Sequence, residues 1–91
     1  MAARHELADV ASYLRATGLS VRVMNYGVAL ATLGGGTVTV HVNLSRGLVV
    51  VEYYAEMATF PLTHYGKVLA ADYAHRLASM GIRVHDVGYY D

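Results

Sequence analysis

His41 and Glu52 stand in two valine-rich runs, TVTVHVN and LVVVEYYA, which a turn at Arg46-Gly47 would fold against each other. In that register the imidazole lies across from the carboxylate, with the hydroxyls of Thr39 and Tyr54 beside them. A His–Glu pair next to a hydroxyl is suited to general acid–base chemistry on a small molecule. The same pair is also an ordinary cross-strand contact, worth under about 1 kcal/mol. The chain has no cysteine and no Gly-x-Ser-x-Gly elbow, so nucleophilic catalysis has no motif to build on.

Other chemistry-bearing residues fare less well. The five histidines include no His-x-x-x-His pair, and His64 and His75 share a helix face three turns apart, too far to hold one ion. No metal and no cofactor is expected. A phosphate cradle needs glycines that lead into a helix N-terminus. Gly34-Gly35-Gly36 leads instead into the strand-like Thr37-Val38-Thr39-Val40, so it reads as a hairpin turn. Asp9 and Asp72 are the polar identity shared by two similar segments, ADVASYLRATGLSV and ADYAHRLASMGIRV. Asp72 can meet Arg76 one turn on, and both aspartates read as surface residues.

Composition narrows the functional classes. The chain has 91 residues, 55% of them hydrophobic, which fits one compact domain over residues 1–91. Seven basic and seven acidic side chains leave a formal net charge of zero, whereas nucleic-acid binders draw affinity from a basic surplus. No apolar run approaches the roughly 20 residues that cross a bilayer, and MAARHELADV lacks the apolar core of a signal peptide. The expected setting is cytoplasmic, with no membrane contact.

These residues must be positioned by a small set of elements. Leu7, Val10, Ala11 and Leu14 recur at helical spacing over Ala3–Thr17, and Gly18 suits a left-handed cap. Strands are expected at Leu19–Asn25, Val28–Leu33, Thr37–Asn43 and Leu48–Ala55, joined by hairpins. A three-residue glycine loop would set Leu33 opposite Thr37 and Leu30 opposite Val40. Pro61 announces a second helix over Leu62–Met80, with Leu62, Tyr65, Leu69, Tyr73, Leu77 and Met80 as its apolar stripe. Gly81 would end it, and Ile82–Val87 reads as a last strand. The expected fold is α+β, in the order α-β-β-β-β-α-β: a mainly antiparallel five-stranded sheet with two helices on one face. Its last strand is expected beside the first, giving the order 5-1-2-3-4, or in a crossover beside the fourth.

With helices on one side, the opposite side of that sheet would carry Arg22, Met24, Ala29, Ala31, Leu33, Thr39, His41, Val50, Glu52 and Tyr54. A solvated face normally alternates to polar residues, and this one is half apolar. Eight tyrosines, including Tyr54, Tyr89 and Tyr90, add amphipathic contact area of the kind enriched at interfaces. The expected function is therefore a non-enzymatic protein–protein interaction module, binding another protein or itself as a homodimer through its sheet face or edge. Its interface residues would be Arg22, Met24, Leu33, His41, Val50, Glu52, Tyr54, Tyr89 and Tyr90. By analogy of size, such chains serve as accessory factors or inhibitors, some encoded by phages and mobile elements.

A different class is suggested by Gly66-Lys67-Val68-Leu69-Ala70-Ala71, which stands where double-stranded-RNA-binding domains begin their basic second helix. The order of a helix, antiparallel strands and an alanine-rich helix resembles that family over about two-thirds of the chain. The second reading is therefore a nucleic-acid-binding module of that topology, for which the available basic residues are Arg22, Lys67, Arg76 and Arg83; Lys67 stands without the neighbouring lysines of that family. A small-molecule enzyme built on His41 and Glu52 is the third reading.

Overall fold

The computed structural model describes residues 2–34 and 36–87, with the side chains of residues 4–34 and 36–80. Helix α1 (Ala2–Ala16) is followed by strands β1 (Ser20–Val23), β2 (Ala29–Leu33), β3 (Gly36–Asn43), β4 (Leu48–Tyr53) and β5 (Glu56–Pro61), and then by helix α2 (His64–Val87). The strands form one antiparallel meander in the order β1-β2-β3-β4-β5. The α+β class, the five antiparallel strands and the two helices are as expected. The fifth strand is not where the α-β-β-β-β-α-β reading put it.

Residues 82–87 continue α2 through Gly81, and the fifth strand is Glu56–Pro61. A two-residue hairpin beside β4 closes a very short loop, whereas a strand after α2 must cross the whole domain to reach an edge. Pro61 therefore ends a strand rather than opening the helix. The helix N-terminus is capped instead by Thr63, whose Oγ1 accepts from the Gly66 amide at 3.0 Å.

The glycine run also closes more tightly than expected. Gly34 turns at φ 63°, and Leu33 pairs with Gly36, so that Leu30 pairs with Thr39. This moves the side chains of β2 to opposite faces. Ala29 and Ala31 join Val38, Val40, Val49, Val51 and Tyr53 on the helix-covered side, and Leu30 faces outward.

Small residues on that side let the helices come close. Leu7, Val10 and Leu14 of α1 and Ala70, Ala71, Ala74, Leu77 and Ala78 of α2 fill the core against the sheet. A Cβ on Gly36 would overlap the Ala78 carbonyl, so α2 lies directly on the β3 backbone there. Such an approach selects alanine and glycine at the joint and turns larger apolar residues away. Tyr65, Leu69 and Met80, expected in the α2 core stripe, are exposed as a result.

Candidate functional site

The sheet face opposite the helices is built by the alternate residues of all five strands. Reading across it, Arg22, Leu30, Thr39, Glu52 and Met57 form one row, and His41, Val50 and Thr59 form the next. Asn43, Leu48 and Pro61 flank the second row, and Ser20, Thr32 and Thr37 flank the first. No described helix packs against this face. Val50 at its centre is nevertheless only 7% exposed, because its cross-strand neighbours close over it. Met57 at the β5 edge is 63% exposed.

Of the residues expected to form an interface, Arg22, His41, Val50 and Glu52 share this face. Leu33 does not: the tighter glycine loop turns it inward, where it packs against the core. Ala29 and Ala31 move inward with it. Met24 sits in the loop between β1 and β2, where its amide donates to the Val28 carbonyl at 2.7 Å. Tyr54 occupies the two-residue turn between β4 and β5 at φ 55°, edge-on to Tyr53 with ring centroids 4.5 Å apart. It therefore lies beyond the end of the face rather than beside His41. Tyr89 and Tyr90 lie outside the described residues. Leu48 keeps the parity of Val50, while Leu30 and Met57 are the apolar members of the face that the expected register missed. Their signal was present in the alternation of β2 and β5, once the turn lengths are known.

His41 is opposite Val50, and Glu52 is opposite Thr39, so the histidine and the carboxylate meet on a diagonal. Nε2 of His41 lies 3.9 Å from Oε2 of Glu52, with 35% and 43% of the two side chains exposed. At that separation a protonated imidazole has a weak, solvent-screened ion pair. Neither side chain is held by a further hydrogen bond among the described residues, and Tyr54 is not beside them.

A second polar constellation lies between the helices, and sequence reasoning gave Asp9 no partner in it. Lys67 Nζ donates to Asp9 Oδ2 at 2.7 Å and to Glu6 Oε1 at 3.2 Å, with 12% of its side chain exposed. The Asp9 hydrogen bond holds the Lys67 pKa above its usual value, against the opposing effect of burial, and Glu6 adds to it. Tyr13 Oη and His64 Nδ1 are 2.7 Å apart next to this clamp. The spacing of Glu6 and Asp9, one turn apart on α1, was visible in the sequence, but only folding brings Lys67 to them.

The basic residues of the nucleic-acid reading are not gathered. Arg22 is on the uncovered face, Lys67 is neutralised between two carboxylates, and the Arg76 guanidinium lies 5.9 Å from the Tyr73 ring centre on α2. The side chain of Arg83 is outside those described. Five strands separate the two helices. Among the described residues, no three metal-ligating side chains converge, and no helix is long and apolar enough to cross a membrane.

A cleft of about 550 Å³ opens between the start of α1 and the β1–β2 loop, lined by Arg4, Leu7, Val23, Tyr26 and Val42 among others. None of its lining residues belongs to the His41–Glu52 pair or to the Lys67 clamp. Comparison with protein-family models, with curated proteins and with solved structures returns no match.

Proposed function

We propose that this protein works by binding protein rather than by catalysis, using the uncovered side of its sheet, and that it does so as a small accessory factor or inhibitor in the cytoplasm. The observation that carries the reading is the composition of that side. Leu30, Leu48, Val50 and Met57 are interspersed across the strands with Arg22, His41, Glu52 and threonines, so the side is half apolar although no described helix covers it. A fully solvated sheet face normally alternates to clearly polar residues, and a mixture of apolar and polar side chains is what protein contacts use. The His41–Glu52 pair supports catalysis less well, since neither group is held in place or shielded from water.

The reading is tested by placing a second carboxylate on the face. His41→Glu sets two acids on the diagonal at a half-exposed position and leaves the helix-side core untouched. Partner capture, measured by pull-down with the purified protein, is expected to fall at least tenfold with unchanged circular dichroism. Full retention of every interaction in this variant would overturn the face assignment.

A further inference from the structure

The two free edges of the sheet are not equivalent. In an antiparallel ladder, alternate residues direct both backbone groups to one neighbour, and the rest direct theirs to the other. Two-residue hairpins are closed by a hydrogen-bonded pair, here Leu33–Gly36 and Tyr53–Glu56. Counting from Tyr53–Glu56, the amides and carbonyls of Glu56, Ala58 and Phe60 point to β4, and those of Met57 and Thr59 point outward. Pro61, which has no amide to offer, falls on the outward set, where proline is tolerated. Counting from Leu33–Gly36 makes Val21 and Val23 the outward residues of β1. The observed Met24 N to Val28 O bond and the bond from Arg15 Nη2 to Val21 O at 3.1 Å agree with that assignment.

β1 is thus a four-residue edge with one outward carbonyl already occupied by an arginine, a familiar way to blunt an edge. β5 is a six-residue edge whose outward groups, on Met57 and Thr59, have no partner among the described residues. Side chains beside it repeat the asymmetry. Tyr73 packs on Phe60 with ring centroids 5.6 Å apart and donates to Glu56 at 3.3 Å, which fixes one flank of α2 over β5. Tyr65, Leu69 and Met80 follow Tyr73 at helical spacing on that flank, away from the side where His64 and Lys67 meet α1. With Tyr54 and Met57, they make five of the eight large apolar side chains exposed among the described residues.

From these two observations we infer that a second copy of this chain pairs antiparallel along β5, with a twofold axis at Ala58. The inference rests on the reading that this protein works by binding protein, and it assigns self-association to the β5 edge, leaving the uncovered face free for a different protein. Twofold pairing about Ala58 sets Met57 opposite Thr59 of the second copy, and Thr59 opposite its Met57. Four main-chain hydrogen bonds then satisfy every outward amide and carbonyl of the two residues in both copies. The meanders join into one ten-stranded sheet, and the apolar flanks of the two α2 helices face each other across the axis. An isologous contact of this kind closes at two subunits.

The edge itself supplies a selective test. The Thr59 amide points outward, so Thr59→Pro removes no bond within the subunit and should fold normally, with unchanged circular dichroism and melting. In sedimentation it is expected to weaken dimerisation at least tenfold. Leu69→Glu is expected to act in the same direction from the helix flank. Because the chain has no cysteine, Ala58→Cys should form a disulfide-linked dimer under mild oxidation, while Leu44→Cys at the far turn should not. A dimer that survives Thr59→Pro and Leu69→Glu but is lost in His41→Glu would overturn the β5 inference and leave the face reading standing. A wild-type monomer at high concentration that still captures another protein through the face would do the same. Retention of every interaction in all of these variants would remove both.

Discussion

At the scale of single residues, the sharpest finding is that Lys67 is a structural cation. Its side chain is largely covered, and its ammonium lies between Asp9 and Glu6 across the two helices. Lys67→Met should lower unfolding free energy by about 1–2 kcal/mol in urea titrations, the modest figure reflecting carboxylates that water can still reach. Tyr53 shows the opposite case. Its hydroxyl is buried without a hydrogen-bond partner among the described residues, and burial pushes its pKa up, with Tyr54 adding to the effect. Tyr53→Phe removes that hydroxyl and should raise stability by about 1 kcal/mol in the same titration. Both residues could be singled out in the sequence by type. Neither role could be read there, because Asp9 and Lys67 are far apart in the chain and meet only through packing.

At the scale of elements, the joint between α2 and β3 decides which residues face inward. Alanines from α2 and β2 meet there, and Gly36 leaves no room for a side chain under the Ala78 carbonyl. Gly36→Ala should therefore destabilise by about 2 kcal/mol or more, since the obstruction is backbone rather than a movable side chain; thermal melting measures it. The helix α1 and the strands β3 and β4 were legible from periodicity alone. The face of β2 was not, because its alternation fits Leu30 inward as well as Ala29, and a one-residue difference in the glycine loop selects between them. β5 was missed for a local reason. Its turn is Tyr54-Ala55, with Tyr54 at φ 55°, and carries none of the glycine or asparagine that marks such turns. Alternation within Glu56–Pro61, with Ala58 and Phe60 on one side and Met57 and Thr59 on the other, was the signal available.

At the scale of the whole molecule, three groups tie stability to alkaline pH. Lys67 titrates from a usual value of 10.5 and Tyr53 and Tyr73 from 10.0, and all three are raised in the folded protein, Tyr73 by desolvation and then by Glu56. Below about pH 9 each is protonated in both states, and stability does not change with their titration. As pH rises through the usual values and toward the raised ones, the unfolded chain loses protons first, and stability falls. Melting temperature is expected to decline above about pH 10, less steeply in Tyr53→Phe and in Lys67→Met than in the wild type. By itself, the sequence determined the α+β class, the core of α1, the valine strands and the absence of cysteine chemistry, because these follow from composition and short-range periodicity. It also supplied two similar segments, ADVASYLRATGLSV and ADYAHRLASMGIRV, and could not say that they fold differently. The first turns at Gly18 (φ 98°) into β1, whereas the second stays helical through Gly81. Only the tertiary structure decided that, together with the face of β2 and the exposed flank of α2. The physical reason is common to all three: with β5 already paired to β4 and small residues drawing α2 onto the sheet, position in the fold outweighed local preference and hydrophobic rank.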